Sequence, residues 1–313
     1  MAFVTRAWHV FALRAVQGLF AGYGALTLTM AADSAPRDRM AHAIGSVQTA
    51  QRLGPALGPM IGGAVAQVVG MRNTFLVTSV FYLLAVLLVL FMYHEPAVHR
   101  TDEREDGGRV SFRNVLAFQN FVLLMGVIFG LQFVDRSFGP VLPLYVSELG
   151  IPTDRVPIVS GLLFSIAAGA GALGHHFCGR LLRRATARLV IAGSVGVGAV
   201  GALAYVLAGG PWLLVLGTPI FGVAIGIATT AAYTAASSVM PGTARGAGFG
   251  LLSTASLTGL ALSPIVSGIL GATSIRAVFL LDVVALAVLA VVVSRLMITT
   301  RLPETTSPAT EEL

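Results

Sequence analysis

Residues 72–93, RNTFLVTSVFYLLAVLLVLFMY, decide the fold class of this chain. After Arg72 the stretch carries no charged residue, and its 22 residues exceed the roughly 20 that an α-helix needs to cross about 30 Å of hydrocarbon. Its apolar residues do not alternate with polar ones, and it is far longer than a membrane β-strand of about 10 residues. Backbone polar groups in lipid must be satisfied within the segment, so the stretch predicts a transmembrane helix.

The composition extends this interpretation to the whole chain. Of the 313 residues, 56% are hydrophobic and 11% are charged, against about 25% charged in soluble domains, and the mean hydropathy is +0.84. All 20 basic residues are arginine, so a P-loop that ends in Gly-Lys-Ser/Thr is excluded from this sequence. The single cysteine, Cys178, excludes an intrachain disulfide and a Cys-x-x-Cys site within it. The composition indicates a polytopic membrane protein.

Nine apolar stretches predict nine transmembrane helices, which makes the fold class all-α. They cover residues 8–30, 41–69, 72–93, 119–141, 157–178, 188–208, 211–236, 246–271 and 275–298. The longest connection, residues 94–118, is charged and nearly free of large apolar residues, as in a linker between two membrane domains. Residues 299–313 are interpreted as a polar tail.

The arginines predict the orientation of the chain. When alternate connections are assigned to opposite sides of the membrane, 13 arginines lie on one side and 4 on the other. The richer side is expected to be cytoplasmic, with the C-terminus on it and the anionic lipid surface as its partner. The net charge of +6 therefore does not indicate nucleic-acid binding.

A weak internal repeat has an offset of about 204 residues. Gly18 corresponds to Gly222, and Gly54 corresponds to Gly259. The offset contains six spans, so spans one to three match spans seven to nine, and spans four to six match nothing in this sequence. We therefore expect a parent of twelve helices in two halves, with three helices preceding this sequence.

Two motifs resemble the major facilitator superfamily. Arg14-Ala-Val-Gln17-Gly18 matches the family's fourth-helix motif. Gly54-x-x-x-Gly58-Pro59-x-x-Gly62-Gly63 matches the fifth-helix motif of its drug/proton antiporters. The resemblance implies a fold of two helix bundles that lacks the first three of twelve helices. Residues 1–93 would be the rest of the N-terminal bundle, 94–118 the cytoplasmic linker, 119–298 the C-terminal six-helix bundle and 299–313 the cytoplasmic tail.

One departure from the family concerns its loop Gly-x-x-x-Asp-Arg-x-Gly-Arg-Arg between helices two and three. That loop is absent here, and a degenerate counterpart runs from Gly179 to Arg188. The resemblance implies that Asp33 would face the missing loop, so we expect Asp33 to lack its partner.

The five residues of the fifth-helix motif are interpreted as a helix-packing motif that also bends the span: Gly54, Gly58, Pro59, Gly62 and Gly63.

Polar residues within the apolar spans are the candidate functional residues, because charges inside a membrane cost at least about 2.5–3.5 kcal/mol and mark pathways or relays. Asp135 is the leading candidate, either as a proton carrier or as the acid of a static ion pair with Arg136 or with an arginine on another helix. The proton-coupling candidates are Asp135, Arg136, Arg14 and Asp282. The residues expected to line a cavity are Gln17, Gln48, Arg52 and Gln132, with a structural pair to a buried carboxylate as the alternative for Arg52.

The resemblance implies a secondary transporter in the cell membrane, with lipid, a small-molecule substrate and protons as its partners. We expect a monomer that exports small amphipathic molecules by alternating access. A truncated chain without transport activity and a sugar or metabolite uptake permease remain alternatives. No Ser/His/Asp or paired-carboxylate arrangement lies on compatible faces, and adjacent His175 and His176 point in different directions, so neither an enzyme nor a metal site is expected, and no cofactor.

Overall fold

A computed structural model describes residues 4–19, 23–36, 39–92 and 112–298. The secondary structure of these residues is α-helical. The helices are α1 (Ala7–Leu19), α2 (Tyr23–Ser34), α3 (Met40–Val69), α4 (Met71–Met92), α5 (Phe112–Leu116), α6 (Phe121–Glu148), α7 (Val156–Leu182), α8 (Ala187–Val206), α9 (Pro211–Val239), α10 (Gly242–Gly271) and α11 (Ile275–Leu296).

Within the described ranges, seven helices are long and apolar enough to cross a membrane: α4 and α6 to α11. The predicted span 8–30 corresponds to two shorter helices, α1 and α2, on either side of residues that lie outside the description. The second predicted span corresponds to α3, which carries polar residues such as Gln48 and Arg52. The polytopic all-α class is confirmed, whereas the number nine stays a prediction.

Short turns join several of the helices. Gly70 alone separates α3 from α4 with φ of 83°, and Gly150 follows α6 with the same φ. This left-handed conformation favours glycine, which has no Cβ. Thr186 caps α8 by accepting a hydrogen bond from the Leu189 amide at 3.4 Å. The residue types at these turns therefore fix where the helices end.

The interface between α7 and α9 is built on glycines. A Cβ on Gly174 or Gly226 would collide with the backbone of the facing helix, and a Cβ on Gly222 would lie 2.6 Å from the Ala167 carbonyl oxygen. Small residues let membrane helices approach until their backbones touch. Around this pair, α6, α8, α10 and α11 complete the C-terminal bundle.

The N-terminal helices are packed more loosely. α2 and α3 contact each other, and α4 contacts α3. The side chains of α4 are exposed almost throughout, including large ones such as Phe81 and Leu90. Apolar side chains on all faces are compatible with a lipid environment or with further helices.

We call α1 to α4 the N-terminal half and α5 to α11 the C-terminal half. The two halves meet where α3 packs on α7 and α2 packs on α10. Gly179 near the end of α7 approaches His42 near the start of α3. We call this end of the bundle the arginine-rich end. It carries Arg39, Arg180, Arg183, Arg184, Arg188 and Arg245. Helix α5 lies within the segment 94–118 that was predicted as a linker, and its Val115 is fully buried, because α5 packs on α6 and α10.

Candidate functional site

A cavity of about 710 Å³ lies between the two halves. The charged and amide side chains that line it belong to α3 and α6, and its apolar lining includes the aromatic rings of Phe138, Phe164 and Phe221. The lining residues that bear polar or charged side chains are Gln48, Gln51, Arg52, Gln132, Asp135, Arg136, Ser165, His175, Tyr205 and Thr229. An apolar pocket with a few convergent polar groups is the usual form of a small-molecule site.

An ion pair crosses this cavity. The Arg52 Nη2 of α3 donates to the Asp135 Oδ1 of α6 at 2.8 Å. The side chains are 19% and 11% exposed, so water screens the pair only in part. On the same helix, Arg136 Nε lies 3.9 Å from the other carboxylate oxygen, with 45% of its side chain exposed. Of the two arginines, Arg52 is therefore the closer and the more buried partner of Asp135.

Two glutamines flank the ion pair. Gln48 is buried one turn before Arg52. The Gln132 side-chain amide donates to the Ser256 hydroxyl at 2.9 Å, which ties α6 to α10. Both lie on helix faces that also carry a member of the ion pair, since side chains three or four positions apart share one face. The cavity thus presents amide and charged groups side by side.

His175 also lines the cavity, and the sequence did not single it out as a cavity residue. Its Nδ1 is hydrogen-bonded to the Thr230 hydroxyl at 2.8 Å, and its Nε2 has no partner among the described atoms. The side chain is 1% exposed, whereas that of His176 faces the exposed side of α7. Adjacent helical positions differ by about 100°, so the two histidines face different sides of α7.

The arginine-rich end is closed between the halves. A Cβ on Gly45 of α3 would lie 2.5 Å from the His175 carbonyl oxygen, so the helices touch through a glycine. Arg245 Nη1 at the start of α10 donates to Asp33 Oδ1 at the end of α2, at 2.7 Å. Asp33 was expected to lack its partner in the missing loop. In the structure the packing of α2 on α10 gives it Arg245 as a partner instead.

The family assignment rests on a profile described as Major Facilitator Superfamily, which matches residues 1–243 and 187–313. The chain belongs to this superfamily. The multi-drug resistance efflux pump PmrA homolog of Lactococcus lactis is 31% identical over 185 residues, which are 58% of this chain and 45% of that protein. The multidrug resistance protein MdtG of Dickeya zeae is 30% identical over 185 residues, 58% of this chain and 44% of that one. The chain thus spans about half the length of the curated relatives it matches.

Solved structures of the superfamily share the fold. The Escherichia coli fucose:proton symporter FucP superposes with a TM-score of 0.66 at 14% identity, over 89% of this chain and 73% of that one. A bacterial homologue of the iron transporter ferroportin, in an outward-facing state, gives a TM-score of 0.60 at 15% identity, over 93% of this chain and 75% of that one. At these identities the likeness concerns the fold alone.

Asp282 differs from Asp135 in its surroundings. It is fully buried on α11, its Oδ2 accepts a hydrogen bond from the Ser137 hydroxyl at 2.5 Å, and its Oδ1 has no partner among the described atoms. No arginine lies within ion-pair distance of it in the described ranges. Ser137 faces away from the cavity side of α6, so Asp282 lies behind the site rather than in it.

The residues of the fourth-helix motif lie apart from the cavity. Arg14 Nη1 donates to Gln17 Oε1 at 3.1 Å on an exposed face of α1. Gln17 is not among the lining residues of the cavity described above, and its expected role there stays a prediction. A Cβ on Gly54 or Gly62 would meet no described atom within 4 Å, so the packing role of the fifth-helix motif stays a prediction.

Proposed function

We propose that the chain is part of a secondary transporter that exports small amphipathic molecules in exchange for protons. The support is the Arg52–Asp135 pair, because it links the two halves across the cavity that the substrate would enter. Rigid halves that rock around a midplane site are how such transporters alternate access. Two of the relatives described above carry efflux or multidrug resistance in their names, which favours export over uptake.

The proposed topology has nine spans in this sequence, with the arginine-rich end and the C-terminus in the cytoplasm. The chain would then divide into the N-terminal bundle at residues 1–93, the linker at 94–118, the C-terminal bundle at 119–298 and the tail at 299–313. In that orientation the contacts of α3 with α7 and of α2 with α10 close the cytoplasmic side. The conformation described here would be the outward-facing one.

The proposed coupling uses the charge of Asp135. The ionised carboxylate holds Arg52 and so links α3 to α6 across the cavity. Addition of a proton to Asp135 removes this attraction, which frees the halves to move. Arg136 is the second cation of the carboxylate, and buried Asp282 is a second candidate for the proton. Arg14 keeps the role that its motif implies, as an aid to proton transfer.

Transport in inverted membrane vesicles tests the proposal. The uptake of the amphipathic cation ethidium is measured with and without an imposed proton gradient, in wild type, in Asp135→Asn and in the matched variant Glu148→Gln. Glu148 is exposed at the other end of the same helix. We expect gradient-driven uptake in the wild type and in Glu148→Gln, and its loss in Asp135→Asn at normal expression. Full gradient-driven uptake by Asp135→Asn would refute the assigned role, and no uptake by wild type of any amphipathic compound tested would favour an inactive chain.

A further inference from the structure

A second, smaller pocket lies at the arginine-rich end, where α3 of one half meets α7 of the other. It encloses about 360 Å³, and we call it the junction pocket. Its lining residues are Arg39, His42, His176, Gly179, Arg180 and Arg183. All but the glycine have a basic side chain, and none of them is acidic. The pocket therefore brings basic side chains of both halves together.

This clustering differs from the ordinary arginine bias of cytoplasmic connections, in which each cation extends separately into water. Here α3 and α7 approach closely, since a Cβ on Gly179 would lie 3.7 Å from the His42 amide nitrogen. The rings of His42 and His176 are 5.9 Å apart across the junction. An anion in the pocket would therefore meet the Arg180 and Arg183 guanidinium groups of α7 and the His42 ring of α3 together.

The surroundings of the pocket are suited to a lipid. A neighbouring concavity is lined by Phe177, Leu181 and the same arginines, Arg180 and Arg183. Phe177 and Leu181 are 38% and 40% exposed, and the Arg180 guanidinium lies 5.2 Å from the centre of the Phe177 ring. An apolar wall beside a basic pocket matches a molecule with an anionic head and an apolar chain. Basic pockets between helices on the cytoplasmic side bind such headgroups.

We propose that the junction pocket binds the phosphate of an anionic phospholipid, and that this lipid holds α3 and α7 together in the conformation described here. Arginine guanidinium groups bind phosphate with two parallel hydrogen bonds, which Arg180 and Arg183 would supply. The proposal rests on the orientation given under the proposed function, and it does not depend on transport. A lipid in this site would favour the state that is closed at the arginine-rich end.

The test is a lipid titration of the purified full chain in detergent, read out as the rise in its thermal unfolding temperature. The probes are phosphatidylglycerol, phosphatidylcholine and inorganic phosphate. Each arginine near an anionic surface is worth about 1 kcal/mol, which is about fivefold in affinity. Arg180→Gln/Arg183→Gln should therefore weaken phosphatidylglycerol binding about 25-fold. The matched variant Arg188→Gln/Arg295→Gln, with both arginines at the same end but outside the pocket, should retain it within about twofold.

Three results would overturn the proposal: equal weakening by both double variants, equal binding of phosphatidylcholine, or an equal effect of inorganic phosphate, which would indicate a free-phosphate site. Arg180→Lys/Arg183→Lys keeps the charge and should restore part of the affinity. If the glutamine variant does not fold, His42→Gln from the opposite half takes its place, and we expect it to weaken phosphatidylglycerol binding in the same direction. None of these measurements involves transport, so a failure of the proposed function is seen separately.

Discussion

The ion pair between Arg52 and Asp135 should stabilise the contact between the halves by an amount that a double-substitution cycle can measure. Two unit charges in contact attract by about 4 kcal/mol at an effective dielectric constant of about 20. The side chains are 19% and 11% exposed, and solvent screening together with the cost of desolvation reduces this attraction. We expect a coupling energy of about 2 kcal/mol between the two positions.

The two single substitutions should differ in cost. After Arg52→Gln, Asp135 still has Arg136 at 3.9 Å. After Asp135→Asn, Arg52 has no carboxylate within ion-pair distance in the described ranges, and two arginines face one cavity. Removing one member of a buried pair costs about 3–5 kcal/mol when the other is left uncompensated. We therefore expect the free energy of unfolding to fall by about 3 kcal/mol in Asp135→Asn and by about 2 kcal/mol in Arg52→Gln, with partial screening by solvent included.

The assay is the free energy of unfolding by denaturant of the purified chain in detergent. It is measured for wild type, for each single variant and for the double variant, with Glu148→Gln as the control. Independent sites add within about 0.3–0.5 kcal/mol. Additivity within that range would refute the coupling. A greater cost for Arg52→Gln than for Asp135→Asn would refute the idea that Arg136 compensates Asp135 when Arg52 is removed.

Two further predictions concern the helix contacts. Gly259→Ala should lower the free energy of unfolding by about 1–3 kcal/mol, because its Cβ would collide with the backbone of α6. A Cβ on its repeat counterpart Gly54 would meet no described atom within 4 Å, so Gly54→Ala should be neutral. An unchanged thermal unfolding temperature of Gly259→Ala would contradict the close approach of α10 to the backbone of α6. Asp33→Asn should cost at most about 1 kcal/mol, since the carboxylate is 48% exposed beside Arg245. High salt should abolish the difference between Asp33→Asn and wild type, and a cost that persists in high salt would contradict a screened surface pair.

The comparison of Gly54 with Gly259 shows what the internal repeat predicts about helix packing and what it leaves open. The two glycines occupy corresponding positions in the internal repeat of the sequence. In the structure Gly259 packs on the backbone of α6, while no described atom lies near Gly54. In the repeat, α6 corresponds to no helix of this sequence. The glycine therefore has a neighbouring backbone in one half and no neighbour among the described atoms in the other. A sequence motif predicts that close packing is possible, but only a facing helix makes it occur.

The cavity residues show the same division. Gln48, Arg52, Gln132 and Asp135 could be selected because polar groups within apolar spans are costly and therefore unusual. The sequence left the partner of Asp135 open between its neighbour Arg136 and an arginine on another helix. The structure gives Arg52, which is 83 positions away in the chain. Gln17 was chosen from the fourth-helix motif, and in the described part of the chain its side chain bonds to Arg14 on an exposed face of α1.

The sequence by itself determined that the chain is a helical membrane protein, because the burial of backbone hydrogen bonds in lipid depends only on the length and polarity of each segment. It also determined the end of the bundle at which the arginines lie. Only the tertiary structure decided which charges meet, Arg52 with Asp135 and Arg245 with Asp33 over 212 positions. A pair of charges forms where the rotation and crossing of two helices bring their side chains together, and neither is a property of one segment.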